Sequence, residues 1–277
     1  MRFRRAGRRG KEIGMKRVAG AAALLAFVLL LAAGSALAGI GVRVNGGMSY
    51  VSYGDFNDAA DYANEEGLWA SGATGEVGAI HWIPEFGGEI IVPVIPRLSV
   101  GVGGGIVFGK SSYVLQTGLG AYSYEHTMKA YPVTATAYVD LPMLPFAKPY
   151  VYLGGGAYRV SLTFEESTSG GAVAEEASAD LGKWGFGLHG GAGLSFDIVP
   201  TVQFDLGLRW RRAIVKGFEG KRRNPNGSST DVFLASYRDA GGALNFGPEA
   251  TADRGVYGEG SVDLSGFAFM LGLTVSF

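Results

Sequence analysis

The chain has 277 residues, 47% hydrophobic, 12% aromatic and 18% charged, with 46 Gly and no Cys. Without Cys, disulfides are removed as a source of stability, and a Gly-rich, aromatic-rich, weakly charged composition fits many short strands better than helices. The formal net charge is −1; without its basic N-terminal segment the remainder carries about −8, which argues against nucleic acid as a partner.

Eight Lys or Arg precede Val18, followed by an apolar run from Ala19 to Ala33 and then Ser35-Ala36-Leu37-Ala38. These are the three parts of a secretory signal peptide, with an Ala-x-Ala cleavage site before Gly39. The reading is therefore a leader over 1–38 and one domain over 39–277. Met15-Lys16-Arg17 is itself a normal start, which leaves 1–14 as an upstream extension. An uncleaved anchor helix is the competing view, but the apolar core is short for a span of ~20 residues.

Eight strands are predicted, at Ile40 to Tyr53, Ala79 to Val94, Arg97 to Gly109, Thr127 to Leu141, Pro149 to Thr163, Lys183 to Val199, Thr201 to Val215 and Val262 to Phe277. The connections after the second, fourth and sixth are tight (Ile95-Pro96, Pro142 to Lys148, Pro200). Those after the first, third, fifth and seventh are long: Gly54 to Gly78, Lys110 to His126, Phe164 to Gly182 and Lys216 to Ser261. In the first long connection Asp55 is a candidate N-cap, Phe56, Ala59, Ala60 and Ala63 share a helical stripe and Gly67 ends it, which predicts a short helix. Pro84, Pro93 and Pro132 fall inside predicted strands, and each implies a bulge or a local break in pairing.

The strands are two-faced. From Phe267 one parity reads Phe267, Phe269, Leu271, Leu273, Val275, Phe277 and the other Gly266, Ala268, Met270, Gly272, Thr274, Ser276. The sixth sets Trp184, Phe186, Leu188, Ala192, Leu194, Phe196 and Ile198 against mainly Gly, His189, Ser195 and Asp197; the seventh sets Val202, Phe204, Leu206, Leu208 and Trp210 against Gln203, Asp205, Gly207, Arg209 and Arg211. An apolar outside and a polar inside is the pattern of strands whose outer solvent is lipid. The fold class expected is all-β: an eight-stranded antiparallel up-and-down transmembrane β-barrel with long extracellular loops and a short helix in the first.

In that topology Trp82, Trp184 and Trp210 lie at the outer-leaflet level, while Phe204, Phe196, Tyr150 and Phe277 form the lower girdle. Arg43, Glu85, Glu89, Arg159, Asp205, Arg209 and Arg211 are assigned to the lumen, with His81 and His189 nearby in parity. An eight-stranded barrel is about as wide as its own side chains, so these charges are expected to pair, Glu85 and Glu89 accepting from Arg43 and from the arginines of the fifth and seventh strands. The alternative is a gated small-solute or proton path. Lumen-side glycines at 101, 103, 105, 185, 187, 191 and 193 either make room for large neighbours or leave a ligand cavity. Lys221-Arg222-Arg223 in the last long connection are candidates for contact with lipopolysaccharide phosphates. No metal site or phosphate-cradling loop is legible, and no cofactor is expected. The three histidines carry no local catalytic motif, Glu125-His126-Thr127 being the nearest, so the chain is not read as an enzyme.

Signal peptide, eight two-faced strands, alternating connection lengths and a terminal Phe together resemble the outer-membrane β-barrel domain superfamily, the OmpA/OmpX/OmpW-like group. The resemblance covers nearly all of 39–277. It implies the bacterial outer membrane as location, outer-membrane lipid and lipopolysaccharide as surroundings, recognition of the C-terminal strand by the barrel assembly machinery, and a monomer. It leaves three roles open: structural and surface interaction with a plugged lumen, an OmpW-like conduit for small hydrophobic molecules, or a lipid-modifying enzyme.

Overall fold

The computed structural model describes residues 39–62, 64–65, 74–117, 120–169, 175–237, 244–247 and 257–277. The predicted leader, Ala63 and Gly67 lie outside them. The chain divides into two units, Gly41–Ser276 and a second of Met1–Ile40 with Phe277. In the second, Gly39 N–H donates to the Phe277 carbonyl (2.7 Å) and Phe277 N–H to that of Ile40 (3.0 Å).

The larger unit is almost entirely antiparallel sheet. Its elements are β1 (Gly41–Val51), α1 (Asp55–Tyr62), β2 (Trp82–Ile95), β3 (Leu98–Thr117), β4 (Gly120–Asp140), β5 (Lys148–Ser169), β6 (Glu175–Val199) and β7 (Val202–Lys216). Short strands β8 (Glu219–Arg223), β9 (Ser229–Tyr237), β10 (Leu244–Gly247), β11 (Tyr257–Glu259) and β12 (Ser261–Asp263) precede β13 (Gly266–Ser276). Strands β1 to β7 pair in sequence order, and β13 pairs with both β7 and β1, so eight strands close a ring. Successive cross-strand partners run Gly41, Ile91, Gly101, Thr136, Gly154, His189, Arg211, Gly266 and back to Val51 on β1. That stagger of about 10 residues over eight strands tilts each strand by roughly 40°.

In two of the predicted long loops the described residues are strand. Strands β3 and β4 run on to Thr117 and from Gly120, and β5 and β6 run on to Ser169 and from Glu175. Their paired backbone satisfies the donors and acceptors that a loop would leave to water. The fourth long connection holds β8 to β12, with β8 adding to β6 and β9 to β8.

All three prolines mark interruptions. The β2–β3 ladder begins at Glu85, one residue beyond Pro84, and its register shifts between Pro93 and Ile95. Between β3 and β4 the pairing lapses from Gly104/Val133 to Val107/Ala130, spanning Pro132, while Pro132 stays paired to Tyr158 on the other side. Proline lacks the donor the ladder needs.

Helix α1 buries Phe56 and Ala60 and also Asn57, whose amide bridges the Ser52 and Ile80 carbonyls (2.8 and 2.9 Å) and accepts from Ile80 N–H (2.8 Å). Asp55 does not cap it. The first helical N–H groups, of Asn57 and Asp58, donate to the Gly54 carbonyl, and the Asp55 carboxylate instead accepts from Ser261 N–H and Oγ (2.8 and 3.0 Å).

The ring's interior has two storeys. One is polar, with Arg43, Glu85, Glu89, His189, Asp205, Arg209 and Arg211. The other, nearer the α1 end, is apolar: Val51, Ile83, Val107, Met128, Val160, Leu162, Phe164, Leu181, Val215 and Leu264 pack together and against Tyr53 and Phe56.

Candidate functional site

The polar storey is built by the inward parity of seven of the ring strands. Glu85 on β2, 2% exposed, receives Arg209 Nη2 and, at 3.0 Å, Arg211 Nη1, both from β7. Arg211 Nε donates to the Leu264 carbonyl (2.8 Å), so this guanidinium is fixed at both ends.

Arg43 differs from expectation. Its cross-strand partner on β2 is Glu89, yet its Nε lies 3.3 Å from Asp205 Oδ2 and donates to Thr274 Oγ1 (3.0 Å). Glu89 accepts instead from Tyr138 OH (2.5 Å). The Arg43 guanidinium lies 5.0 and 5.2 Å from the ring centres of Tyr138 and Tyr150, themselves 6.0 Å apart and edge to face, so two aromatic rings on one side of it draw it away from β2. Asp205 also accepts from Thr274 (2.6 Å) and Ser195, so both its oxygens are engaged.

Arg159 does not join this network. Tyr150, Tyr152 and Tyr158 occupy the inward parity of β5, and Arg159 shares the outward parity of Val151 and Leu153. Its cross-strand partners are Tyr131 and Trp184, both exposed. His81 is outside as well, stacked on Tyr50 at 5.5 Å, whereas His189 is inside, 3.0 Å from Thr136 Oγ1. Tyr150, expected in the lower girdle on the outside, is interior.

The interior glycines make room for large neighbours. A Cβ on Gly193 would lie 2.4 Å from the Tyr150 ring, one on Gly191 2.7 Å from Tyr152, and one on Gly101 2.2 Å from the Glu89 carboxylate. Tyrosines of β5 lie over glycines of β6, replacing the missing side chains by aromatic surface. The space left is a cavity of about 90 Å³ among Arg43, Glu85, Glu89, Tyr152, His189 and Arg209, room for a few waters.

On the outside, Trp82, Tyr50, Phe267 and Trp210 form one row of successive cross-strand partners, and Tyr131, Arg159 and Trp184 another. Phe196 and Phe204 pair towards the opposite end, rings 6.5 Å apart. Phe277 is exposed and belongs to the second unit. The Lys221-Arg222-Arg223 run is split by strand alternation. Arg222, across from buried Ala179, pairs with Glu166 (2.8 Å), and exposed Lys221 stands 3.9 Å from Asp231.

His126 lies in the apolar storey, its ring stacked at 5.1 Å on Phe56, 5.8 Å on Tyr53 and 6.0 Å on Phe164. Burial there pushes its pKa down from 6.5 to about 4. Among the described residues no Ser or carboxylate bonds to it, and the three histidines stand apart. The signal for this storey was present in the sequence: Met128 with Ala130, and Val160 with Leu162 and Phe164, put apolar side chains on the inward parity.

No family model and no curated protein matches the chain. Among solved structures it is similar to the outer membrane protein OprG from Pseudomonas aeruginosa, with 14% identity, 87% of this chain and 96% of that one covered, and a TM-score of 0.39. It is also similar to a major outer membrane protein from Thermus thermophilus, with 10% identity, coverages of 86% and 99%, and a TM-score of 0.44. A third is the outer membrane protease OmpT from Escherichia coli, with 12% identity, coverages of 86% and 97%, and a TM-score of 0.37.

Proposed function

We propose that the chain is a small integral outer-membrane β-barrel with a structural and surface-interaction role, its lumen plugged by paired charges. The observation that carries this is an inversion of sidedness along the strands. On β4, Val139 and Val133 point out while Tyr138 and Thr136 are buried; further on, Lys129 points out while Met128 and Ala130 are buried. On β5, Val151 and Leu153 are exposed and Tyr150 is buried; beyond Arg159, Val160, Leu162 and Phe164 are buried and Glu165 is exposed. One strand thus meets an apolar exterior on one stretch and water on the next, and the change falls at the rows of Trp, Tyr and Arg. A soluble sheet has no reason to reverse there; a bilayer boundary supplies one.

The dimensions agree. On β3 the outward run from Leu98 to Phe108 holds only Gly and large apolar residues, and at the tilt above it rises roughly 25 Å, the height of the apolar band of such barrels. The ion pairs then lie within the membrane span, where burial demands partners, and the apolar storey with α1 lies on the external side. A plug of this kind supports a role carried by the extended strands and connections rather than by flux. Fractionation tests the reading: the processed chain should require detergent for extraction and show heat-dependent gel mobility, and recovery in the aqueous fraction would overturn it.

One observation favours a second reading, a conduit for small hydrophobic molecules. The lapse in pairing at Pro132 borders the interior cavity, which Gly103, Gly104 and Pro132 help to line. If that gap passes solutes sideways, Pro132→Val should restore the ladder and slow uptake of a hydrophobic dye into reconstituted vesicles; equal uptake by both proteins would remove this reading.

A further inference from the structure

The outward faces of β3, β4 and β5 carry Lys110, Lys129 and Arg159 at the upper edge of the apolar exterior. We propose that these three side chains form a binding site for the phosphate groups of an outer-leaflet glycolipid. The proposal rests on the membrane reading above.

The registers arrange the three cations as a stair. Lys129 is across from Phe108 while Lys110 is across from Thr127, and Arg159 is across from Tyr131 while Ser161 is across from Lys129. Each cation is therefore the diagonal neighbour of the next, about 7–8 Å away, a spacing that phosphate groups on one headgroup can bridge. Arg159 is the central element. Its Nη2 would lie only 2.6 Å from a Cβ on Gly182, so the guanidinium lies against the bare backbone of β6, beside Trp184.

Among the described residues two of the three form no ion pair, and the carboxylates on the Gly182 face have other partners, Glu219 with Lys183 (3.1 Å) and Asp180 with Thr163 (2.9 Å). Lys110 pairs with Glu125 (2.7 Å), but among the described residues no carboxylate reaches Lys129 or Arg159. Adjacent like charges repel, and an external anion would relieve that repulsion. Just below lie Phe108, Tyr131, Val133, Phe186 and Leu153, apolar and exposed, against which acyl chains would pack while phosphates meet the cations. Arg159 can grip a phosphate through two N–H groups at once, which Lys cannot. Elsewhere on this rim the charge is mixed: Arg212 and Lys216 flank Ile214 on β7, whose cross-strand partner is Asp263. The β3–β5 face is set apart by three cations on adjacent diagonals beside exposed aromatic rings, and it differs from the Lys221 to Arg223 run.

The experiment uses the mature chain in zwitterionic detergent, titrated with phosphorylated lipid A and followed by native mass spectrometry. K129Q/R159Q should weaken binding about tenfold or more, equivalent to about 1.4 kcal/mol, with K221Q unchanged and R159K intermediate. Wild type should bind dephosphorylated lipid A and phosphatidylglycerol more weakly. Binding by K129Q/R159Q within twofold of wild type, or equal binding of either comparison lipid, would overturn the assignment. Insertion into vesicles and heat-dependent mobility are measured alongside: if wild type does not insert, the membrane reading fails first, and if both proteins insert, the lipid titration judges this site alone.

Discussion

Among the described residues Glu85 is the one carboxylate that holds two arginines, and replacing it by Ala removes that hold. Breaking a buried ion pair from one side costs roughly 3–5 kcal/mol, most of it the penalty of the charge left behind. Two features pull the expectation to the lower end of that range. Arg211 keeps the Leu264 carbonyl, and Arg209, 23% exposed, borders a cavity of about 90 Å³ into which water can follow. We expect E85A to lose about 3 kcal/mol, E85Q less because its amide oxygen still accepts one N–H, and E85L with R209L and R211M to recover much of the loss, since replacing a whole buried ionic group with apolar side chains is often near neutral. The assay is urea unfolding of protein refolded into lipid vesicles, read by Trp fluorescence. A loss under about 1 kcal/mol for E85A, with the triple variant no better, would refute the plug as a stabilising unit.

Leu153 faces outward and is 66% exposed. In water L153R should change stability by less than about 0.5 kcal/mol, but at the centre of a bilayer it should cost roughly 2–4 kcal/mol, so unfolding from vesicles separates the two environments. The His126 pKa of about 4 lies below the unfolded value of about 6.5, so the unfolded or opened state binds the extra proton. Stability of the α1 cap is therefore full above pH 6.5 and falls as pH drops towards 4, by about 2 kcal/mol at pH 5. Protection factors of the α1 amides, taken against the intrinsic exchange rate at each pH, should fall accordingly in wild type and stay constant with pH in H126F. G193V should cost more than 1 kcal/mol because Tyr150 must leave its place on β6; unchanged urea midpoints would show the ring is free to move.

The period-2 alternation of β6, β7 and β13 was legible because side-chain sidedness in a strand is a local property. So were the tight connections at Pro96 and Pro200 and the proline interruptions, since each follows from one residue's own backbone chemistry. The extension of β3 to β6 was not: Ser, Thr, Glu and Tyr there read as loop until a neighbouring strand supplies their hydrogen bonds.

Which charges lay in pairing strands followed from parity, but who holds whom did not. Arg43 and Glu89 are cross-strand partners by register, and only the closed ring brings Asp205 and Thr274 to the other side of Arg43 and sets Tyr138 over Glu89. The sequence alone determined two-faced strands and where several of them end. Closure decided the ion pairs and the apolar storey, because each depends on strands that meet through the stagger of the ring rather than along the chain.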